Sequence, residues 1–189
     1  VSGGGELWCA QQAGFPMERV FVHGNNKTPQ ELREAISAGV GRIVVDSRIE
    51  LGRISEIAGE LGVTQDVYMR ITPGVEADTH EYIRTGCEDS KFGFTPEETF
   101  ERACEIAEIQ GVSVNGLMCV APICEKESEI RSIFSNMHQL FIDIRDKKID
   151  NINMSVLSMG MSGDYKQAIL EGANLVRIGS AIFGARIYR

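Results

Sequence analysis

The sequence is poor in the features that define several common protein classes. No apolar run reaches the roughly 20 residues that a membrane-spanning helix needs, and no basic-then-apolar segment resembles a secretion signal. Aromatic residues make up only 7% of the 189 positions, and the formal net charge is −8. An acidic chain argues against nucleic acid or a membrane surface as the general partner. We therefore expect a globular cytoplasmic protein whose partner is a small molecule.

Cysteine and histidine are too few and too scattered for a disulfide framework or a metal centre. The chain has five cysteines and three histidines. The cysteine count is odd, no C-x-x-C occurs, and the histidines lie far from paired cysteines. We expect reduced thiols, as in a cytoplasmic protein, and no metal site.

Short β-branched runs alternate with amphipathic helical patterns along the whole chain. The spacing predicts six strands, at residues 20–23, 42–45, 66–71, 112–120, 153–157 and 174–178. It predicts helices at residues 28–39, 48–61, 96–110, 127–147 and 163–171. Such regular alternation indicates parallel strands, as in a doubly wound sheet or a (β/α)8 barrel. Periodicity leaves this choice open. A barrel usually needs about 250 residues, so this one would be short by roughly one unit.

Two further segments stand out in this pattern. Val1 and Ser2 read as the tail of another strand, with residues 5–13 as its helix, so we expect the sequence to begin at a cut edge. The polar stretch at residues 75–94 is too long for a plain connector, and we interpret it as a candidate functional loop.

Two glycine- and serine-containing turns follow the last two predicted strands. Residues 158–164 read Ser-Met-Gly-Met-Ser-Gly-Asp, and residues 177–181 read Arg-Ile-Gly-Ser-Ala. Backbone amides at the start of a helix, with nearby hydroxyls, suit a phosphate group, and barrels commonly bind phosphate in these two loops. The alternative is a pair of ordinary turns in which serine caps a helix. The phosphate prediction fails if the turns lie far apart or if the protein itself occupies their amides.

The second half of the chain resembles a known family through these turns. Residues 114–118, 157–165 and 176–186 look like the pyridoxal-phosphate homeostasis proteins, and the likeness runs from about residue 90 to residue 189. These proteins are single-domain barrels of the alanine-racemase-like type, fold type III, that hold pyridoxal 5'-phosphate without a well-defined reaction. The resemblance implies a TIM-type α/β barrel that lacks its first β-α unit.

The first half resembles a different relative with the same kind of barrel. Residues 2–7, 23–27, 41–47, 70–77, 80–83 and 89–94 look like diaminopimelate decarboxylase. We interpret residues 1–189 as one barrel domain, with a decarboxylase-like half at residues 1–93 and a homeostasis-like half at residues 94–189. A recombinant or designed chimera without native activity and an unusual natural protein both remain open.

The resemblance implies a set of cofactor-binding residues. Ser158, Ser162, Gly179 and Ser180 would hold the phosphate, and Met159, Gly160 and Met161 would shape the first turn. Arg177 would point into the barrel at the pyridine nitrogen, the alternative being a surface salt bridge. His23 and Asn25 would line the pocket, the alternative being turn residues. Asp46 and Arg70, also at strand ends, are further candidates, whereas Lys27 is expected to be solvated.

Two departures from these families bear on catalysis. Both families bond the cofactor through a lysine of the first barrel strand, and no lysine of this chain matches that motif. A decarboxylase would also carry a cofactor-stacking histidine where this chain reads Met118, Cys119 and Val120. We therefore predict non-covalent cofactor binding, homeostasis- or carrier-like, with no catalytic residues assigned. An amino-acid decarboxylase or racemase is the alternative. An open barrel edge also predicts self-association.

Overall fold

A computed structural model describes residues 1–73 and 93–184 of the chain. Strands and helices alternate throughout this part. The strands are β1 (Phe21–Val22), β2 (Arg42–Val45), β3 (Gln65–Ile71), β4 (Val112–Cys119), β5 (Ile152–Met161) and β6 (Leu175–Arg177). The helices are α1 (Gly4–Gln12), α2 (Pro29–Ser37), α3 (Arg48–Leu61), α4 (Pro96–Ala107), α5 (Glu127–Asp146), α6 (Tyr165–Leu170) and α7 (Ser180–Phe183), with a 3-10 turn at Met17–Arg19. The candidate loop at residues 75–94 lies outside the described residues except for Gly93 and Phe94.

The order of the strands decides between the two folds that periodicity left open. The described strands form one sheet in the order β1-β2-β3-β4-β5-β6, and every neighbouring pair is parallel. A doubly wound sheet reverses its strand order at a switch point, whereas a barrel wall adds each strand beside the previous one. The barrel prediction is therefore confirmed, with six strands of the wall in the described part.

The first residue continues this wall beyond β1. The amino group of Val1 donates to the Phe21 carbonyl at 2.8 Å, and the His23 amide donates to the Val1 carbonyl at 2.7 Å. These two bonds follow a parallel ladder. Val1 thus occupies the position expected for the tail of a preceding strand.

Local capping chemistry sets the starts of the helices. Thr28 and Glu31 form a reciprocal capping box ahead of α2, and Thr95 and Glu98 form the same box ahead of α4. A proline takes the first helical position in each case, where its missing N–H costs nothing. Ser47 caps α3 through its side chain. The predicted bounds of β2 and α3 are confirmed, and no described helix is both long and apolar enough to cross a bilayer.

The largest difference from the predicted elements is the length of β5. This strand runs to Met161 rather than to residue 157, because Ser158 and Met161 pair with Leu175 and Arg177 of β6. The first four residues of the predicted phosphate loop are therefore strand residues. The helix that follows is also shorter than predicted.

Side chains pack in separate layers on the two faces of the curved sheet. The larger cluster lies between the strands and the helices and includes Ile43, Met69, Leu117 and Phe134. The smaller cluster lies on the inner face of the wall and is built on Val44, Tyr68 and Met118, with Val120, Val156 and Leu175 against it. Since side chains alternate between faces along a strand, the residue two positions after each inner-face residue also faces inward.

Candidate functional site

Five polar side chains lie at the carboxyl ends of the strands on the inner face. Four of them follow an inner-face residue by two positions: Asp46 after Val44, Arg70 after Tyr68, Ser158 after Val156, and Arg177 after Leu175. His23 likewise follows Phe21, whose ring centroid lies 5.7 Å from that of Tyr68. We call this set the barrel mouth. The carboxyl end of a barrel is where its binding sites are built. All five were candidates from the sequence, and they come from β1, β2, β3, β5 and β6.

The Arg177 guanidinium binds the ends of two neighbouring strands. Its NH1 group donates to the Ser158 hydroxyl at 2.6 Å and to the Ser158 carbonyl at 3.0 Å, and its NH2 group donates to the Cys119 carbonyl at 2.7 Å. Burial lowers the pKa of Arg177, but a guanidinium remains charged at physiological pH. No described carboxylate pairs with it, and two of its five N–H groups have no described acceptor.

Ser158 and Cys119 are fixed by this contact rather than free to react. Ser158 is 2% exposed, and its hydroxyl accepts from Arg177. Cys119 is fully buried, and burial raises the pKa of its thiol to about 12. The thiol is therefore neutral and not nucleophilic at physiological pH. Cys119 contributes to the barrel mouth through its main-chain carbonyl, which accepts from Arg177.

The two predicted phosphate turns are in direct contact. The Ser162 hydroxyl oxygen accepts from the Gly179 amide at 3.1 Å and from the Ala181 amide at 3.2 Å. The turns therefore converge, as the sequence predicts, but the protein fills those two amides with its own serine. In the described part of the chain, the amides of Gly163 and Ser180 have no acceptor.

The other residues assigned to the first turn take different positions. Met159 is fully buried in the layer between sheet and helices. Gly160 has a φ of +92°, and a Cβ there would lie 2.6 Å from the Ala168 Cβ. Its lack of a side chain thus permits α6 to pack on β5. Met161 is partly exposed, and its amide donates to Asp164 at 2.6 Å.

His23 is a neutral base with an unused buried nitrogen. Its pKa is lowered from 6.5 to about 4, chiefly by burial; the cations Arg70, Lys27 and Arg177 add to this lowering, and Asp46 opposes it. Its Nε2 atom is buried and has no described hydrogen-bond partner. A buried polar atom without a partner carries a free-energy cost that a bound group can relieve.

Lys27 is buried beside the mouth, so the expectation that it is solvated was wrong. It is 6% exposed, and its Nζ lies 2.9 Å from Glu50 Oε1 and 3.8 Å from Asp46 Oδ2. The second Glu50 oxygen accepts from the Asp46 amide at 2.8 Å. Burial raises the pKa of Glu50, and Lys27 opposes that rise. The sequence feature that could have indicated this cluster is the pair of carboxylates Asp46 and Glu50, four positions apart around the start of α3.

Arg70 extends this cluster to the loop after β1. Its NH1 group lies 3.5 Å from Asp46 Oδ1 and donates to the Asn25 side chain at 2.7 Å. Asn25, assigned to the pocket from the sequence, thus lies at the rim of the mouth and is exposed. The cluster of Lys27, Arg70, Asp46 and Glu50 holds two cations and two carboxylates, and it adds no net charge to this side of the mouth.

Curated relatives match part of this chain closely. Diaminopimelate decarboxylase of Mycobacterium leprae is 56% identical over 95 residues, 50% of this chain, and that of Bacillus subtilis is 48% identical over 121 residues, 63% of this chain. The chain covers 20% of the first relative and 28% of the second. It therefore spans less than a third of the length of either enzyme.

Solved structures match nearly all of the chain. Diaminopimelate decarboxylase of M. jannaschii has a TM-score of 0.80 at 25% identity, over 96% of this chain and 48% of that one. PipY of Synechococcus elongatus with pyridoxal phosphate bound has a TM-score of 0.72 at 24% identity, over 93% of this chain and 74% of that one, a likeness of fold. The resemblance to diaminopimelate decarboxylase is thus confirmed, and the second resemblance is confirmed as a likeness of fold.

A family model reaches across both halves of the chain. The family described as "Pyridoxal-dependent decarboxylase, pyridoxal binding domain" matches residues 1–168. The match runs through residues 93 and 94, and the division of the chain at that point stays a prediction. The cofactor predicted from the sequence is the one in the family's description. The chain therefore belongs to the pyridoxal-dependent decarboxylase family, as its pyridoxal binding domain.

Proposed function

We propose that this chain binds pyridoxal 5'-phosphate non-covalently at the barrel mouth and acts as a carrier of the cofactor rather than as an efficient catalyst. The observation that carries the proposal is that the two turns meet and leave the amides of Gly163 and Ser180 without a described acceptor, although Ser162 already occupies the amides of Gly179 and Ala181. Two amides from one turn that reach a single acceptor form a site for an oxygen. A phosphate supplies such oxygens with more negative charge than a hydroxyl does.

The phosphate would take the place of the Ser162 hydroxyl. Rotation about the Cα–Cβ bond of Ser162 removes its oxygen from the two amides and leaves the hydroxyl able to donate. The amides of Gly163 and Ser180, which have no acceptor in the described part, lie in the same two turns. Main-chain and hydroxyl donors from both turns would then surround one dianionic group.

The pyridine ring would face Arg177. Two N–H groups of this guanidinium remain after its bonds to Ser158 and Cys119. Pyridoxal phosphate supplies an electron sink whose strength depends on protonation of its ring nitrogen. A permanently charged donor at that nitrogen disfavours its protonation and weakens the sink. This electrostatic setting favours holding the cofactor over carbanion chemistry.

The positions of the described lysines support non-covalent binding. An imine to protein requires an uncharged amine within reach of the aldehyde. Lys27 is buried and ion-paired with Glu50. Lys126, Lys147, Lys148 and Lys166 are exposed on the outer helices or beside them.

An absorbance titration with pyridoxal phosphate, followed by borohydride reduction and peptide mapping, tests the proposal. We expect saturable binding and no cofactor fixed to a lysine. Gly163→Ala adds a methyl group that meets nothing within 4 Å in the free chain but would crowd a phosphate bound at this turn, and it should weaken binding by about tenfold. Gly59→Ala, in equally open space on α3, is the matched control and should bind as the parent does.

Two outcomes would overturn this assignment. A reduced adduct on a lysine would refute non-covalent binding. The absence of saturable binding would refute the cofactor site itself.

Decarboxylation is the second candidate function, because the family and the curated relatives are named for it. Its test is release of carbon dioxide from diaminopimelate in the presence of the cofactor. We expect none above a cofactor-only control. Sustained turnover would reverse the order of the two candidates.

Three further properties belong to the same proposal. The edge of β6 that pairs with no other described strand would pair with a second copy, which gives self-association. Among the described residues, Cys9, Cys104 and Cys119 are free thiols, which suits the reducing cytoplasm. Residues 1–93 and 94–189 would be related halves of one barrel domain.

A further inference from the structure

Lys27 closes the loop that follows β1. Its Nζ donates to the Gly24 carbonyl at 2.6 Å, three residues back in the chain. The loop is tight at that point, because Gly24 has a φ of +136° and a Cβ there would lie 2.8 Å from the Ser2 carbonyl oxygen. His23 precedes this glycine directly. The path of the loop therefore fixes where the imidazole lies.

Glu50 connects this loop to the next β-α unit. One of its oxygens binds Lys27 at 2.9 Å, and the other accepts from the Asp46 amide at 2.8 Å. One carboxylate thus joins the loop after β1, the end of β2 and the first turn of α3. The Lys27 and Glu50 side chains are 4% and 9% exposed, so solvent cannot readily replace either partner.

We propose that Lys27 is a positioning residue of the cofactor site, which through the Gly24 carbonyl and Glu50 holds the His23 imidazole on the inner face of the barrel mouth. This inference rests on the proposed cofactor function and extends it to a residue that does not itself face the mouth. His23 would then offer its unpaired Nε2 to the cofactor or to a water bound beside it.

If Lys27 positions His23, its charge should also affect the pKa of His23, which a residue that only packs would not do. Asp46 faces the imidazole from the end of β2, Arg70 from β3, Arg177 from β6, and Lys27 from its own loop. Lys27 is one of the cations that lower the pKa of His23. Its removal leaves Asp46 facing the imidazole with one cation fewer nearby, which favours a protonated imidazole.

Histidine titration by NMR and cofactor affinity, measured on the same proteins, test the inference. In Lys27→Met we expect the pKa of His23 to rise above its value of about 4, because one of the cations that lower it is gone while burial remains, and affinity for pyridoxal phosphate to fall by about tenfold. Lys27→Arg keeps the charge and should leave the pKa of His23 low. Lys126→Met removes an exposed lysine paired with Glu129 and should change neither quantity.

The two measurements separate the failure of this inference from that of the proposed function. A folded Lys27→Met protein in which His23 titrates as in the parent, or in which affinity is unchanged, refutes the positioning role. If the parent binds no cofactor, the proposed function fails, and the titration alone decides whether Lys27 holds His23. Where Lys27→Met does not fold, Lys27→Gln keeps a donor for the Gly24 carbonyl, and the same rise in the pKa of His23 is expected.

Discussion

The Arg177 guanidinium donates to both the hydroxyl and the carbonyl of Ser158, at 2.6 and 3.0 Å. With its third bond to the Cys119 carbonyl, it joins the ends of β4, β5 and β6 on the inner face. The planar fork of the guanidinium matches three acceptors that diverge from one another. The side chain expected to meet the cofactor ring thus also holds this part of the wall together.

Arg177→Lys should therefore lower stability as well as affinity for the cofactor. An ammonium cannot reach Cys119 and both Ser158 oxygens, so at least one buried acceptor loses its donor. We expect a loss of about 2 kcal/mol in the free energy of unfolding, measured with urea. Arg145→Lys, at an exposed pair with Asp146, is the control and should change stability by less than about 0.5 kcal/mol. If both substitutions lowered the free energy of unfolding equally, Arg177 would not hold the neighbouring strands together.

Stability should fall in acid through His23. The pKa of His23 is about 4 in the folded chain against 6.5 for an ordinary histidine, so the unfolded chain takes up the proton first. The contribution of neutral His23 to the free energy of unfolding is complete above pH 6.5 and is lost as the pH falls toward 4. It is on the order of 3 kcal/mol at most. Urea unfolding of the parent and of His23→Gln across this window should show a shallower pH dependence in the variant.

Glu50 changes stability with pH in the direction opposite to His23, and the comparison of the parent with His23→Gln must allow for this. Burial raises the pKa of Glu50, so its contribution is present at low pH and is lost as the pH rises. Because both proteins retain Glu50, the difference between them isolates His23. Identical pH profiles would show that His23 is not held as a buried neutral base.

Gly160→Ala should disrupt the packing of α6 on β5. Its new Cβ would lie 2.6 Å from the Ala168 Cβ and 3.0 Å from the Tyr165 Cα, and the φ of +92° disfavours any L side chain. We expect a loss of about 3 kcal/mol on urea unfolding. Gly163→Ala, with nothing within 4 Å of its Cβ, should cost less than about 0.5 kcal/mol. If Gly160→Ala lowered the free energy of unfolding only slightly, α6 would be able to move away from β5 at little cost.

Self-association should depend on apolar side chains near β6. Among the described strands, β6 pairs only with β5, and Leu170 and Phe183 on the helices before and after it are 68% and 86% exposed. Phe183→Lys should raise the dissociation constant of the oligomer about tenfold in sedimentation or size-exclusion measurements. Val63→Lys, an exposed site before β3, should not change it. A parent protein that remains a monomer at high concentration would refute self-association.

Local chemistry explains why much of the fold was predictable. Thr28, Ser47 and Thr95 each cap a helix within three residues of sequence, so the chemistry that sets these helix starts is local. The two turns were found from their glycine and serine pattern, and Asp46 was a candidate from its place at the end of a predicted strand. The family resemblance supplied the cofactor and the inward direction of Arg177.

What the sequence did not predict depends on partners far along the chain. Lys27 is buried because Glu50, 23 positions later, comes to its amine, and no local pattern around Lys27 contains that carboxylate. Residues 158–161 extend β5 because β6 lies beside them to pair with. The choice between a barrel and a doubly wound sheet likewise depended on strand order, which periodicity does not encode.

The strictly sequential order of the strands has a consequence for how the chain acquires its structure. Within residues 1–73 and 93–184, each strand pairs only with those that come just before and just after it, so every new β-α unit docks on one that already exists. Sheets assembled from near neighbours lose less chain entropy at each step than sheets that pair distant segments. The amino-terminal units can therefore become ordered on the ribosome before the residues of the two phosphate turns have been synthesised.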